Sequence, residues 1–328
     1  MRVQQPFLQL PVRFCADTLA AEVHALPQSA WEPHPTGFIG NEAVRLISAI
    51  DSPNDAFDGP MAPTDHLLRC PYIMEVMAEL GGTWGRSRLM GLAPGADVPV
   101  HVDIHYYWRT HLRIHIPIIT NPGVSFTCDD DTVHMAAGEC WVFDSFRRHG
   151  VRNLGDARRV HLVLDTVGSA HHWDLVEEAQ QGLAATNGMR FLPPGQRPGE
   201  PLAFEQVNSP YIMSPWEIRA HITYLVDQTL AHPRLDGIMK RLDRFVCSWS
   251  TAWARYGMND DGLVTYRQLL AEIRADLKSG DGGDILLTNG RTLYFALNQL
   301  ILVNALSRRA AQADAGDSDD AAERRMAS

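Results

Sequence analysis

Arg88-Leu89-Met90-Gly91-Leu92, Val98 to His101, Leu112-Arg113-Ile114-His115-Ile116-Pro117-Ile118, Val124 to Cys128, Thr132 to Met135, Cys140 to Phe143 and Arg159 to Leu164 follow one another between Ser87 and Asp165. Pro94-Gly95 and Asn121-Pro122-Gly123 punctuate them. Runs this short and this regularly interrupted predict a β sandwich or a small barrel. Side chains alternate across a strand. In the third run Leu112, Ile114, Ile116 and Ile118 share one face, and Arg113 and His115 share the other. In the last run Val160, Leu162 and Leu164 oppose Arg159, His161, Val163 and Asp165. One face of each strand therefore packs on a core. The other carries basic groups, which meet either solvent or a site.

The flanking sequence has a different texture. Residues 1 to about 85 mix helix and strand signals, with Asp17 placed to cap a helix over Thr18–Leu26. A connector, Leu192-Pro193-Pro194-Gly195-Gln196-Arg197-Pro198-Gly199, marks a boundary. Beyond it the chain reads as helical. Ser214-Pro215-Trp216-Glu217 has the form of a capping box with proline at the first helical position. Thr265 to Gln268 is a similar start for a helix over Tyr266–Leu277, and Leu293 to Arg308 reads as a third helix. The expected organisation is α+β: a β domain over 1–190, a helical domain over 191–309, and a disordered acidic tail over 310–328.

Composition narrows the function. The chain has 328 residues, 45% of them hydrophobic, and a formal net charge of −10, so it should build a full core and not bind nucleic acid. No uninterrupted apolar stretch has the length of a signal peptide or a membrane span. Five scattered cysteines without a C-x-x-C pair fit a reducing compartment, and the expected location is cytoplasmic.

Seven of the fourteen histidines lie between His101 and His161. Within that stretch His101-Val102-Asp103 follows a strand, His149 comes 48 residues later, and Arg159 opens a further strand. Two imidazoles and one carboxylate can occupy one face of a metal and leave three positions open, as in non-haem Fe(II) oxygenases. An arginine suits the distal carboxylate of a 2-oxo diacid. The spacing is equally compatible with three unrelated residues.

Ser87-Arg88-Leu89-Met90, Ala93-Pro94-Gly95, His101-Val102-Asp103, Arg113-Ile114-His115, Ala137-Gly138-Glu139, Phe143-Asp144, His149 and Arg158-Arg159 together resemble the aspartyl/asparaginyl β-hydroxylase family, which includes bacterial proline hydroxylases. The resemblance covers about residues 60–170. It implies a double-stranded β-helix (a cupin-like jelly roll), Fe(II), 2-oxoglutarate and O2. It places His101, Asp103 and His149 as iron ligands and Arg159 as the 2-oxoglutarate clamp. It also places His115 on the co-substrate, and Arg113 near co-substrate or substrate. Met90 stands where the vertebrate aspartyl hydroxylases have a serine that helps hold 2-oxoglutarate, and Arg88 and Ser87 are candidates to compensate. The implied reaction is hydroxylation coupled to oxidative decarboxylation of 2-oxoglutarate. Asp103 favours hydroxylation over halogenation, because a halide would need the position that the carboxylate fills.

A spare buried cation requires an anion. If Arg113 is that cation, the expected substrate is an amino acid, free or within a peptide, with a carboxylate near the oxidised carbon. The alternatives are a catalytically silent cupin-like binding module and a metal-dependent hydrolase or isomerase on the same barrel. The helical region leaves open a homodimer, or a carrier or peptide contact. His105, His111, His134 and His161 read as surface or hydrogen-bonded residues, and Arg147-Arg148 as a solvated loop. Tyr106-Tyr107-Trp108 is either a pocket wall or packing. Asn259-Asp260-Asp261-Gly262 lacks the outer ligands of a calcium loop and reads as a turn.

Overall fold

The computed structural model describes residues 3, 5–50, 55–182, 188–279 and 284–307. The tail expected to be disordered lies outside them. The described residues group into two units. One comprises the residues up to Asp103 with Tyr107–Asn208, and the other comprises Ile104–Tyr106 with the residues from Ser209 on.

The first unit is a double-stranded β-helix. Its strands are β1 (Phe7–Phe14), β2 (Asn41–Ala49), β3 (Ser87–Leu92), β4 (Asp97–His101), β5 (Leu112–Ile119), β6 (Val124–Cys128), β7 (Asp131–Val133), β8 (Glu139–Phe143), β9 (His149–Asn153) and β10 (Arg159–Gly168). The large sheet runs β1-β8-β5-β10-β3-β2, with short additions at its edges, and the small sheet runs β7-β6-β9-β4. From β3 to β10 the chain alternates between the sheets, except for the β6–β7 hairpin within the small sheet, as a jelly roll does.

The apolar faces read from the sequence pack where expected. Ile114, Ile116, Ile118, Val160, Leu162 and Leu164 lie in one buried cluster with three helices: α1 (Ala16–Ala25), α2 (Pro71–Leu80) and α3 (Ala170–Gln180). Each such side chain contributes roughly 1.5–3 kcal/mol on burial. In α2 the buried positions Tyr72, Ile73, Val76, Met77 and Leu80 recur at helical spacing, Pro71 opens the first turn, and Gly81 closes the last at φ 64. The opposite face of the large sheet does not meet solvent. Arg159, His161 and His115 on that face are buried, next to a second cluster that joins Leu92 and Phe143 to Phe126 and Val151 of the small sheet.

Several expectations are corrected. Helix α1 begins two residues early, with Cys15 at the N-cap and Asp17 in the first turn, where its charge suits the helix dipole. The stretch after residue 190, expected to open the helical region, first adds strands to the large sheet. Arg190–Leu192 pairs with β1, and Ala203–Phe204 pairs with Thr83–Trp84. The Glu75 carboxylate anchors the connector by accepting the backbone N–H groups of Gly195, Gln196 and Arg197.

The second unit holds α4 (Pro215–Val226), α5 (Leu235–Tyr256), α6 (Leu263–Ser279) and α7 (Leu293–Leu297). Ser214 caps α4 as expected, accepting from the Glu217 N–H at 3.2 Å, while the Glu217 carboxylate accepts from the Tyr106 hydroxyl at 2.6 Å. Helix α6 starts two residues before Thr265, since Asn259 and the turn Asp260–Gly262 already lead into it. The segment expected as one helix from Leu293 is α7 followed by a π-helical turn, Asn298–Leu302. None of the five cysteines is in a disulfide. Among the described residues no helix is long and apolar enough to cross a membrane.

Candidate metal centre

His101 ends β4, and His149 begins β9. The two strands are antiparallel neighbours with these histidines as register partners. Their rings lie 4.3 Å apart, centroid to centroid. Asp103 follows two residues beyond β4, and its N–H donates to the Ser145 carbonyl at 2.9 Å. Its carboxylate turns back to the two rings, with one oxygen 3.9 Å from His101 Nε2 and the other 3.8 Å from His149 Nε2. These distances are too long for hydrogen bonds. One donor atom from each of the three residues lies within 4.8 Å of the others.

The outer ring nitrogens fix the orientation. His101 Nδ1 lies 2.8 Å from the Pro99 carbonyl, and His149 Nδ1 lies 2.9 Å from that of Arg147. A carbonyl can only accept, so each Nδ1 carries the proton and each Nε2 presents its lone pair to the carboxylate side. Burial, with His101 nearby, pushes His149 down to about 4 against the pull of Asp103, so the ring stays a neutral donor. Burial alone would raise Asp103, but Arg113, His149 and His101 outweigh it and hold the carboxyl below its usual range. The two Nε2 atoms and the Asp103 carboxylate therefore converge on one another, with Asp103 Oδ2 also accepting from Arg113. The set fits one hard or borderline divalent ion.

Next to this triad is a second unsatisfied group of atoms. Arg159 is buried, its Nε has no hydrogen-bond partner, and burial pushes the guanidinium down to about 9. His115 and His161 are buried with both ring nitrogens unpartnered. Burial and the Arg159 charge push both imidazoles well below the usual range. Phe143 packs on His149 at 4.9 Å and on His115 at 5.2 Å, linking the two groups. Among the described residues this buried cation has no carboxylate beside it and the two rings have no partner, an arrangement suited to an anion.

Arg113 is not the spare cation that the sequence led us to expect. Its Nε donates to Asp165 Oδ1 at 3.0 Å, and its Nη1 donates to Asp103 Oδ2 at 3.3 Å. Trp108 stacks on it, with the guanidinium carbon 4.1 Å from the ring centroid. His161 departs from expectation as well, being buried without a partner. His111 and His134 do have partners, at the Tyr107 and Val124 carbonyls. Arg147 is held by Asp129 at 2.7 Å and by Asp144 at 3.3 Å, so this loop supports His149.

Sequence reasoning passed over Arg86. It is buried and its Nη1 donates to the Asp55 carbonyl, yet its Nε lacks a hydrogen bond and lies 3.9 Å from Asp165. Phe57 covers it at 3.9 Å. Arg88, its neighbour in chain, donates to Asp55 Oδ1 at 2.7 Å. Arginines at alternate positions entering a strand were the available signal.

The fold thus sets His-x-Asp and a distant histidine on adjacent strands beside a buried arginine, the donor types of a two-histidine, one-carboxylate metal set. Residues 59–168 match the family Aspartyl/Asparaginyl beta-hydroxylase. The chain is 31% identical over 120 residues to L-proline cis-3-hydroxylase 1 from a Streptomyces species, covering 34% of this chain and 40% of that protein. It is 26% identical over 95 residues to L-proline cis-4-hydroxylase from Rhizobium meliloti, covering 29% of this chain and 34% of that one. The similarity thus spans well under half the length of these curated relatives. Solved structures with a similar chain course include a Pseudomonas putida prolyl-4-hydroxylase, at 15% identity and TM-score 0.34, covering 50% of this chain and 93% of that one. A 2OG-Fe(II) oxygenase-family oxidoreductase from Burkholderia pseudomallei has 16% identity and TM-score 0.33, covering 47% of this chain and 80% of that one.

Proposed function

We propose that the protein is an Fe(II)- and 2-oxoglutarate-dependent dioxygenase that hydroxylates an amino acid, free or as a residue in a peptide. One observation carries this reading: three candidate metal donors converge beside a buried arginine that has no counter-ion among the described residues. His101, Asp103 and His149 would hold the iron. Arg159 and His115 would hold 2-oxoglutarate. When bound, this pair supplies the oxidation of a C–H bond by O2, with succinate and CO2 as by-products.

The chain's own residues prepare the site. The Pro99 and Arg147 carbonyls fix both imidazoles, so no ring must reorient when metal enters. Arg113 keeps Asp103 ionised and turned toward the histidines. Phe57 and Trp108 cover the guanidinium groups of Arg86 and Arg113 and exclude water from them.

The charge balance supports an anionic substrate. Arg88 pairs with Asp55 and Arg113 pairs with Asp165, while Asp103 is committed to metal. Among the described residues Arg86 has only a long ion-pair contact to Asp165, at 3.9 Å, and a substrate carboxylate would complete it. The names of the two curated relatives support a small amino acid such as proline. No feature favours a silent module, and an unpaired Arg159 has no purpose in a hydrolase that ignores 2-oxo acids.

The test is succinate formation from 2-oxoglutarate under aerobic Fe(II) with a panel of amino acids and short peptides. Turnover well above the uncoupled background for one member is expected. Absence of succinate, together with no charge-transfer band when 2-oxoglutarate is added to the anaerobic Fe(II) protein, overturns the assignment.

A further inference from the structure

We infer that His161 is a positioning residue for the co-substrate, donating a hydrogen bond to the distal carboxylate of the 2-oxo diacid beside Arg159. The inference rests on the functional reading above and names a residue which that reading leaves out. His161 lies on β10 two residues after Arg159, so both side chains stand on the same face of the large sheet. That face looks toward the small sheet, and both residues are buried there. Neither ring nitrogen of His161 has a hydrogen-bond partner. His115 meets it edge to face at 5.8 Å, so the two unpartnered imidazoles and the guanidinium share one enclosure. Polar atoms buried this fully are normally paired, so three unsatisfied groups in one enclosure call for a common acceptor.

The neighbouring strand cannot supply that donor. The β3 residue opposite His161 is Met90, which has no N–H or O–H to offer. Ser87 Oγ already donates to the Gly85 carbonyl, and Arg88 is paired with Asp55. Neither Ser87 nor Arg88 is therefore free to donate to an anion beside Arg159. The donor facing Met90 across the ladder is His161. Burial and Arg159 keep the ring neutral, which leaves it one N–H to give. One carboxylate can take two bonds from the arginine and one from this ring.

The experiment is calorimetric titration of the anaerobic Fe(II)-loaded protein with 2-oxoglutarate and with 2-oxobutanoate, which lacks the distal carboxylate. Wild type, His161→Leu and His161→Asn are compared, with thermal melts as a check on folding. His161→Leu should weaken 2-oxoglutarate binding by about ten-fold, the loss of one hydrogen bond to a charged group, and leave 2-oxobutanoate unchanged. His161→Asn keeps an N–H donor and should recover part of the loss, and it carries the test if the leucine variant does not fold. Unchanged 2-oxoglutarate affinity in these variants overturns the inference alone. Equal weakening toward both ligands does so too, because it marks a packing role. Failure of the wild type to bind 2-oxoglutarate overturns the functional reading and this inference with it.

Discussion

Arg113 and Asp165 are register partners across the ladder between β5 and β10, and Arg113 grips the buried carboxylate with Nε at 3.0 Å and Nη2 at 3.4 Å. The same guanidinium reaches Asp103 at 3.3 Å. One residue thus ties the middle of the large sheet to the candidate metal centre. Removing it strands a carboxylate that is only 2% exposed. Arg113→Met should lose about 3–5 kcal/mol of stability, the cost of breaking a buried pair. Urea unfolding reads this loss directly. A stable variant with only a raised substrate KM would show that Arg113 binds substrate instead.

Arg86 should behave in the opposite way. Its pairing to Asp165 is long, at 3.9 Å, so little stability depends on it. Arg86→Met should raise the KM for the amino-acid substrate by roughly ten-fold or more, as expected for the loss of a charge-assisted contact. The KM for 2-oxoglutarate should stay near its original value. A larger change in the 2-oxoglutarate constant would remove Arg86 from the substrate side.

Metal binding should require each of the three donors. Replacing His101, Asp103 or His149 with alanine should weaken Fe(II) binding by at least about 100-fold, more than the ~10–100-fold that loss of an outer partner costs. Mn(II) titration followed by electron paramagnetic resonance measures this without turnover. Gly150 should matter for the same reason. A Cβ there would meet the backbone of β4 at 3.0–3.4 Å, so Gly150→Ala should push His101 away from His149 and weaken metal binding.

Acid should destabilise the fold from the pH at which an unfolded histidine takes up its proton. His172 is fully buried, and burial holds it at about 4 although the Leu80 carbonyl accepts from its Nδ1. An unfolded histidine titrates near 6.5, so between pH 6.5 and 4 the unfolded chain binds more protons. Stability from this group is whole above pH 6.5 and falls as the pH drops to 4, by roughly 3 kcal/mol in total. His115 and His161 are shifted the same way. His172→Asn should flatten the profile by one histidine in urea unfolding at stepped pH.

The connector depends on Glu75. Its buried carboxylate accepts three backbone N–H groups at 2.9–3.1 Å. Glu75→Ala should cost about 2–4 kcal/mol and expose the 193–197 loop to protease, since charge-assisted bonds are the strong ones. Limited proteolysis with a melting curve reads both effects.

By itself the sequence determined the strands whose faces differ in polarity. Leu112–Ile118 and Arg159–Asp165 announce their inner and outer sides because a strand alternates with a period of two. His101-Val102-Asp103, His149 and Arg159 were legible because metal and carboxylate chemistry demand those residue types. Helix α5 was also written in the chain, in Ile238, Leu242, Phe245, Val246 and Trp249 at helical spacing, and was passed over. Strand β9 was not legible, since Gly150 and Asn153 read locally as turn residues. It is a strand because β4 and β6 bind it from both sides. Only the tertiary structure decided which cations are spent. Arg113 meets Asp165 from 52 positions away, whereas Arg159 Nε and the His161 ring nitrogens meet no hydrogen-bond partner among the described residues. Local sequence sets which face a side chain takes, but its counter-ion comes from whichever strand the sheet lays beside it.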